Sequence, residues 1–373
     1  YIPICEDGTL DLSKSEKYFT EKTKIVCVIH QSNVFGTVNP VHDIIKLAHN
    51  VGAFVLVDGA QSVPHHSVNI TELGCDFFAF SGHKMMGPTG VGVLYAKPEL
   101  LEEMNPFLGG GEMIREVSME KSTWNDIPWK FEAGTPNIAQ VIGLGAAIDY
   151  LNNIGMESIN EYEIQLRDYA QEILQDISGI LKSVYAADMA VIVPGSGTFG
   201  MEAVARQFAT GKRCLVIRNG WFSYRWTQIF ETGNIPAKEI ICQARQTGKE
   251  STAPFAPVPI DELVAAIRDE KPDLVFAPHV ETSSGMLLPD EYVKAVGHAV
   301  REVGGLFVLD CIASGAIWVD MLHTAVDVLI SAPQKGWSGS PCAALVMMSD
   351  RARKRIDDTT SNSFACDLAK WLW

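Results

Sequence analysis

Several features that would place a chain in a membrane or on nucleic acid are missing from this sequence. No apolar run approaches the ~20 residues that a membrane-spanning helix needs. Basic residues are in the minority, because 30 Lys and Arg face 45 Asp and Glu and leave a formal net charge of −15. Such an acidic chain has no electrostatic footprint for nucleic acid or anionic lipid. The first residues, "YIPICEDGTL", also lack the basic flank and apolar core of a signal peptide. We therefore expect no nucleic-acid partner, no membrane partner and a cytoplasmic location.

Regularly spaced cysteines are also absent. The eight cysteines include no C-x-x-C pair, and scattered cysteines in a chain this long are typical of reduced, buried side chains. His65 and His66 are adjacent, but no carboxylate or cysteine lies at a recognisable ligand interval from them. The sequence therefore predicts neither a disulfide framework nor a metal site.

The sequence does contain short β-branched and aromatic runs that alternate with amphipathic segments. This alternation predicts an α/β fold with a mostly parallel sheet and flanking helices. The segments "VHDIIKLAHNVG" and "PDEYVKAVGHAVREVGG" have helical spacing. The predicted strands are "KIVCVIH", "AFVLVDG", "FFAFSG" and "VGVLYA" in the first part, and "MAVIVPG", "CLVIRN", "EIICQA", "DLVFAPH", "LFVLDC", "DVLISA" and "AALVMM" in the second.

One arrangement occurs twice along the chain. The segment "VCVIHQSNVFGTVNP" aligns with "VFAPHVETSSGMLLP", and a helix then leads to "FVLVDGAQS" or "LFVLDCIAS". Asp58 precedes Lys84 by 26 positions, and Asp310 precedes Lys335 by 25. Each lysine follows another apolar strand. We therefore predict two domains, residues 1–176 and 177–373, joined near residues 174–186 without a Gly/Pro/Ser linker.

The second part contains one further element, "VIVPGSGTFGMEAVARQF", which reads as a strand, a glycine-rich turn and a helix. Such a turn presents backbone N–H groups and the positive end of a helix to a phosphate. A phosphate site, an acid at a strand end and a lysine at another strand end suggest pyridoxal 5′-phosphate. The acid would keep the pyridine nitrogen protonated, and the lysine would form the Schiff base and later move protons as a general base.

The sequence resembles the class V aminotransferase superfamily, whose members have fold type I and bind pyridoxal phosphate. Residues 1 to about 175 resemble part of a cysteine desulfurase or selenocysteine lyase, through "SNVFGTVNP", "VDGAQSVPH", "CDFFAFSGHKMMGPTGVGVLY" and "FEAGTPN". Residues 177 to 373 resemble the large domain of an alanine–glyoxylate or serine–pyruvate type aminotransferase, through "PGSGTFGMEA", "RNGWFSYRW", "HVETSSGML", "VLDCIASGA" and "SAPQKGWSGSPCAALV".

For the second part, the resemblance implies a complete set of cofactor contacts. Lys335 would be the lysine that bonds to the cofactor. Phe222, with Trp221 as an alternative, would stack on the ring, and Thr282 or Ser283 would lie near the ring hydroxyl. The remaining implied contacts are Asp310 at the pyridine nitrogen, Ile312 on the ring face, and Ser196, Gly197, Thr198 and Gln334 at the phosphate.

For the first part, the resemblance implies a second set. Lys84 would be its cofactor-bonding lysine, and Thr135 in "EAGTPN" would reach the phosphate of a partner across a dimer. The other implied contacts are Asn33 at the ring hydroxyl, Asp58 at the pyridine nitrogen, Gln61 at the ring, and Ser81 and His83 at the phosphate.

Both parts depart from the family pattern. The first part lacks the phosphate turn and the stacking aromatic residue, and Cys5, Cys27 and Cys75 do not match the nucleophilic cysteine of desulfurases. The second part lacks the small domain that carries the arginine for the substrate carboxylate. Three interpretations follow: transamination of a small amino acid and a 2-oxo acid at Lys335, a desulfurase-like activity at Lys84, or a composite of two partial units that binds cofactor without turnover. The resemblance also implies a homodimer or an internal pseudo-dimer.

Overall fold

A computed structural model gives the structure of residues 1–5 and 8–372. Within it the chain forms two compact units, residues 1–170 (unit 1) and 171–373 (unit 2). The predicted division at residue 176 lies close to this boundary, and the assignment of each part to a different branch of the family stays a prediction. The predicted join, near residues 174–186, is helical as far as residue 185, because it lies within helix α5 (Met156–Tyr185).

Unit 1 is built on a four-stranded sheet. Its order is β1-β2-β3-β4, with β1, β2 and β3 parallel and β4 antiparallel to β3. A separate hairpin pairs β5 with β6. The strands are β1 (Ile25–Ile29), β2 (Phe54–Asp58), β3 (Phe77–Ser81), β4 (Gly92–Ala96), β5 (Ile114–Val117) and β6 (Ser122–Trp124). The helices are α1 (Val41–Asn50), α2 (Ile70–Leu73), α3 (Pro98–Glu103) and α4 (Ile138–Ile154).

Unit 2 is built on a seven-stranded sheet and two short hairpins. The strands are β7 (Met189–Pro194), β8 (Arg213–Arg218), β9 (Lys238–Gln243), β10 (Arg245–Gln246), β11 (Phe255–Ala256), β12 (Leu274–Pro278), β13 (Val280–Glu281), β14 (Met286–Leu287), β15 (Leu306–Asp310), β16 (Val328–Ser331) and β17 (Ala343–Met348). The helices are α6 (Gly197–Val204), α7 (Trp221–Gly233), α8 (Ile260–Glu270), α9 (Asp290–Glu302), α10 (Met321–Thr324) and α11 (Asp350–Asp357).

The large sheet has the order β7-β17-β16-β15-β12-β8-β9. Only β17 runs antiparallel to its neighbours, so the predicted α/β class with a mostly parallel sheet is confirmed. Alternate strand residues belong to two separate apolar cores: Val308 lies in one and Leu309 in the other. Helices therefore cover both faces, as a parallel sheet requires. The carboxyl ends of β7, β8, β12, β15 and β16 meet at one edge, where open α/β sheets bind their ligands.

The two units contain the same substructure. Strands β1, β2, β3 and β4 pair in the same order and direction as β12, β15, β16 and β17. The register also agrees, because Ile29 pairs with Asp58 where Pro278 pairs with Asp310. The repeat that the sequence indicates is therefore a repeat of structure. The difference is that β12 has β8 as a second neighbour, whereas β1 is an edge strand of the unit 1 sheet.

Candidate functional site: a cavity at the strand ends of unit 2

A cavity of about 200 Å³ opens among the loops that follow the strands of unit 2. All nine residues that the resemblance implied for this unit line it, although they come from well-separated parts of the sequence. They are Ser196, Gly197, Thr198, Phe222, Thr282, Asp310, Ile312, Gln334 and Lys335. Their roles stay predictions, but the fold brings them together. Four lining residues were not predicted: Met201, Arg225, Val280 and Ala313.

One wall of the cavity is the turn between β7 and α6. Gly195 has φ 124°, which favours glycine, and α6 begins two residues later. Ser196 precedes the helix without capping it through its side chain, so its hydroxyl is not committed to the first helical turn. At Gly197 a Cβ atom would lie 2.6 Å from Ile312 Cδ1. Glycine at this position lets the turn approach Ile312 closely. The backbone N–H groups at the N-terminus of α6 remain available to bind an anion.

Opposite the turn, Asp310 ends β15 as a buried carboxylic acid. Its side-chain Oδ1 accepts a hydrogen bond from Ile312 N at 2.9 Å. Burial, with a smaller contribution from the nearby Glu281 charge, raises the pKa of Asp310 to about 6, against the opposing effects of the Ile312 N–H and the Arg225 charge. A carboxylate is costly at such a site unless a cation or a charged hydrogen-bond donor faces it. A protonated pyridine nitrogen has the required charge.

This raised pKa makes a stability prediction for the cofactor-free protein. The folded state binds the Asp310 proton more tightly than the unfolded state, whose pKa stays near 3.8. Below pH ~4, Asp310 therefore does not lower the free energy of unfolding. The cost of its ionisation in the folded state grows between pH ~4 and pH ~6, and it keeps its full value at higher pH. At about 1.4 kcal/mol per pKa unit the full cost is roughly 3 kcal/mol. We expect Asp310→Asn to gain stability relative to wild type as the pH rises from 4 to 7.

The measurement is urea unfolding of both cofactor-free proteins at pH 4, 5, 6 and 7, followed by tryptophan fluorescence. Comparing the same two proteins at each pH isolates the titration of Asp310 from the constant effect of the new amide. A difference in midpoint that does not change with pH would show that Asp310 is not buried in the way described here.

Helix α7 forms a further wall, and its position depends on a carboxylate that the sequence analysis did not single out. Glu281 is buried, and both of its oxygens accept hydrogen bonds at the start of α7. Ser223 N and Ser223 Oγ donate to Oε2 at 2.8 and 2.7 Å, while Phe222 N donates to Oε1 at 3.1 Å. Burial would raise the pKa of Glu281, but hydrogen bonds from Ser283 and Ser223 outweigh it and lower the pKa. Glu281 therefore stays ionised and holds the start of α7 against the β12–β14 loop.

The same contacts distinguish the members of two pairs that the resemblance left open, Phe222 or Trp221 and Thr282 or Ser283. Phe222 lines the cavity, whereas Trp221 does not. Thr282 also lines the cavity, whereas the Ser283 hydroxyl accepts from Trp221 N at 2.8 Å and donates to Glu281 at 2.6 Å. Ser283 is thus engaged at the helix start. Phe222 and Thr282 are the members of each pair that line the cavity.

Lys335 and Gln334 complete the cavity on the loop after β16. Lys335 is exposed. Its amine lines the cavity and has no ion pair with any residue in the described part of the chain. The Gln334 Oε1 atom is buried without a hydrogen-bond partner. An amide turned by half a rotation would instead present its NH₂ group there. Together with the acid and the turn, these residues match the chemistry of pyridoxal phosphate.

Thiols are absent from the cavity lining. Cys311 follows Asp310 directly but is buried, and burial raises the pKa of its thiol well above the ordinary range. Cys342 is exposed, and its carbonyl accepts from Gly195 N at 2.9 Å beside the β7–α6 turn. Its side chain does not line the cavity.

The equivalent residues of unit 1 lie in a different environment. Asp58 has the same local hydrogen bonds as Asp310, because Ala60 N donates to its Oδ1 at 2.9 Å and His30 N to its carbonyl at 2.8 Å. Yet Asp58 is exposed, and so is Lys84. A cavity of unit 1, about 810 Å³, is lined by Asn33 but not by Asp58 or Lys84.

The other predicted residues of unit 1 are similarly open. His83 and Thr135 are exposed, and Gln61 and Ser81 are half-buried. The reason lies in the sheet. In unit 2 the turn after β7 and the helix after β8 cover the strand ends, and the four-stranded sheet of unit 1 contains no counterparts of β7 and β8. The cofactor roles of these residues stay predictions.

Comparison with known proteins assigns the chain to a family. The family model described as "Aminotransferase class-V" matches residues 1–193, which is more than half of the sequence. The chain belongs to the class V aminotransferase family, and the predicted resemblance is confirmed. Enzymes of this family use pyridoxal 5′-phosphate, which confirms the predicted cofactor at the level of the family.

Its curated relatives include proteins named as cysteine desulfurases. A probable cysteine desulfurase of Halalkalibacterium halodurans is 52% identical over 204 residues, covering 55% of this chain and 49% of that protein. A cysteine desulfurase of Escherichia coli is 53% identical over 177 residues, covering 47% of this chain and 44% of that protein. The chain thus spans about half of the length of these relatives.

Solved structures with partial similarity include members of two branches. A cysteine desulfurase from Escherichia coli is 41% identical with a TM-score of 0.45, covering 47% of this chain and 44% of that one. An alanine–glyoxylate aminotransferase from Nostoc sp. is 27% identical with a TM-score of 0.45, covering 52% of this chain and 50% of that one. Separately, none of the helices in the described residues is both long enough and apolar enough to span a bilayer.

Proposed function

We propose that the chain binds pyridoxal 5′-phosphate in the unit 2 cavity and acts there on a small amino acid. The observation that carries this proposal is the convergence of all nine implied residues on one cavity, with a buried acid opposite a helix N-terminus. When bound, the cofactor would supply an electron sink for the bonds at the α-carbon of an amino acid.

Each residue in the cavity has a definable task. The Asp310 carboxylate would hold a proton at the pyridine nitrogen. The turn at Ser196 and Gly197 would bind the phosphate, and Phe222 would exclude water from one face of the ring. Lys335 would attach the cofactor and, when released by a substrate amine, accept the proton from the α-carbon.

For the reaction, the relatives favour cysteine as the substrate over transamination of a small amino acid, because those cited above are named cysteine desulfurases. Removal of sulfur from cysteine requires a thiolate that attacks it. No cysteine lines the cavity. We therefore propose desulfurase-type chemistry with an added thiol as the sulfur acceptor. We place it at Lys335 because the cavity lies in unit 2, although the residues that resemble desulfurases lie in unit 1 with Lys84. Transamination is the second candidate, favoured by the lack of a thiol in the cavity.

The test is to incubate purified protein and cofactor with cysteine or with alanine plus glyoxylate, in the presence of dithiothreitol. With cysteine, the β-carbon–sulfur bond breaks, the sulfur passes to dithiothreitol, and sulfide is released as the dithiol is oxidised; alanine remains. We expect sulfide from cysteine, lost in Lys335→Ala and retained in Lys84→Ala.

The other outcomes decide between the alternatives. Pyruvate from alanine without sulfide from cysteine would establish transamination instead. Sulfide that disappears in Lys84→Ala and survives in Lys335→Ala would move the site to unit 1. Bound cofactor that responds to neither amino acid would contradict catalysis and favour a composite chain that binds without turnover.

A further inference from the structure

Arg225 is a cation in the unit 2 cavity to which neither the sequence nor the comparisons assign a task. It lies on α7 one turn after Phe222, so the two side chains share a helix face. Its guanidinium carbon lies 5.4 Å from the centre of the Phe222 ring. Its Nη1 atom donates to Thr198 Oγ1 at 3.3 Å. The helix itself is fixed by the next residue, Trp226, which is buried and packs on Phe276 with ring centres 4.6 Å apart.

Arg225 has no direct carboxylate partner among the described residues, although its charge acts to lower the pKa of the buried Asp310. It forms no ion pair with any residue in the described part of the chain. Several other unit 2 arginines are paired, among them Arg206 with Glu202 at 2.7 Å and Arg351 with Asp327 at 2.9 Å. Besides Lys335, Arg225 is the only cationic side chain among the residues lining the cavity. A half-buried guanidinium in a cavity is suited to an anionic group of a ligand.

The position of Arg225 indicates which anionic group. Its hydrogen-bond partner, Thr198, belongs to the first turn of α6, which lines the cavity and whose first backbone N–H groups have no acceptor within the helix. Gln334 also lines the cavity, and its buried Oε1 atom has no hydrogen-bond partner in the described part of the chain. A dianionic phosphate placed at a helix N-terminus gains most from a nearby guanidinium, which can donate two N–H groups to it.

We propose that Arg225 binds the 5′-phosphate of the cofactor, alongside the turn at Ser196–Thr198. This inference rests on the proposed function, since it concerns the same cavity. It makes Arg225 a determinant of selectivity for the phosphorylated cofactor over pyridoxal, with the Phe222 ring holding the guanidinium in place.

The test compares the affinities of pyridoxal 5′-phosphate and pyridoxal for wild type and Arg225→Gln, measured by quenching of tryptophan fluorescence. Hydrogen bonds to charged groups contribute enough that we expect affinity for the phosphate ester to fall about tenfold or more in the variant. Affinity for pyridoxal should change less than about twofold, since it lacks the group that Arg225 contacts. Arg225→Lys should recover part of the selectivity.

Arg218→Gln is the matched control. Arg218 also stacks on an aromatic residue of α7, with its guanidinium carbon 4.8 Å from the Tyr224 ring centre, but it does not line the cavity. We expect it to leave the ratio of the two affinities unchanged, and circular dichroism checks that each variant folds.

The outcomes separate this inference from the proposed function. A wild type that binds neither compound would overturn both. Equal loss of affinity for both compounds in Arg225→Gln, or no loss for either, would overturn the phosphate assignment and leave the proposed function standing. A variant that keeps its affinity for the phosphate ester but no longer prefers alanine to ethylamine would place Arg225 at the substrate carboxylate instead.

Discussion

Lys335→Ala is expected to abolish the covalent, borohydride-reducible bond between the protein and pyridoxal phosphate. Both lysines are exposed, but Lys335 lines a cavity with the buried Asp310 and the β7–α6 turn, whereas the Asp58 that precedes Lys84 in the repeat is exposed. The amine of residue 335 is the only group that the cavity offers for this bond, so the expected loss is complete. The measurement is incorporation of tritium from borotritide into protein that has been incubated with the cofactor.

Lys84→Ala is the control, because it removes the residue that occupies the same place in the repeat. We expect it to keep the wild-type incorporation. Incorporation at wild-type stoichiometry in Lys335→Ala, with loss in Lys84→Ala, would falsify the assignment of the site to unit 2.

Asp310→Asn should bind the cofactor but slow proton removal from the substrate α-carbon steeply. Asparagine keeps the size of the side chain but cannot hold the pyridine nitrogen in its protonated form as a carboxylate does. Loss of one preorganised electrostatic group of this kind costs about 10²–10³ in rate. The measurement is exchange of the α-proton of alanine with deuterated water, followed by NMR.

Asp58→Asn provides the matched control for this experiment. Asp58 ends β2 as Asp310 ends β15, with the same backbone contacts, but it is exposed. We expect it to leave the exchange rate within about twofold of wild type, as surface substitutions commonly do. Equal exchange rates in Asp310→Asn and wild type would show that Asp310 is not the partner of the pyridine nitrogen.

Much of the fold could be predicted from the sequence. All eleven strands proposed from apolar runs are present, because each run is short and contains β-branched or aromatic residues. Six short strands were not predicted: β5, β6, β10, β11, β13 and β14. They are two to four residues long, so no periodicity can develop within them.

The burial of the two aspartates could not be predicted from local sequence. "FVLVDG" and "LFVLDC" look alike and form the same strand, turn and hydrogen bonds. Asp310 is nonetheless 7% exposed and Asp58 is exposed. The difference comes from segments more than 80 residues away from Asp310 that form the β7–α6 turn and the start of α7. Burial at this position is a property of the assembled sheet.

Two charged residues of the site were missed for a related reason. Glu281 ends the two-residue strand β13 and Arg225 lies in helix α7, and acidic and basic side chains are normally solvated. Glu281 tolerates burial because Phe222 and Ser223 at the start of α7, together with Ser283, donate hydrogen bonds to it. A signal was present in "HVETSSG" and "RNGWFSYRW", since a carboxylate and an arginine stand beside residues that the resemblance placed at the cofactor. The sequence did not show that they face inward.

The most direct test of a single cofactor site in unit 2 is to count the cofactors per chain and to identify the lysine that holds each one. Purified protein would be saturated with pyridoxal phosphate, reduced with borohydride, digested and analysed by mass spectrometry. We expect one pyridoxyl group per chain, on the peptide that contains Lys335. A group on the peptide that contains Lys84, with Lys335 unmodified, would contradict it.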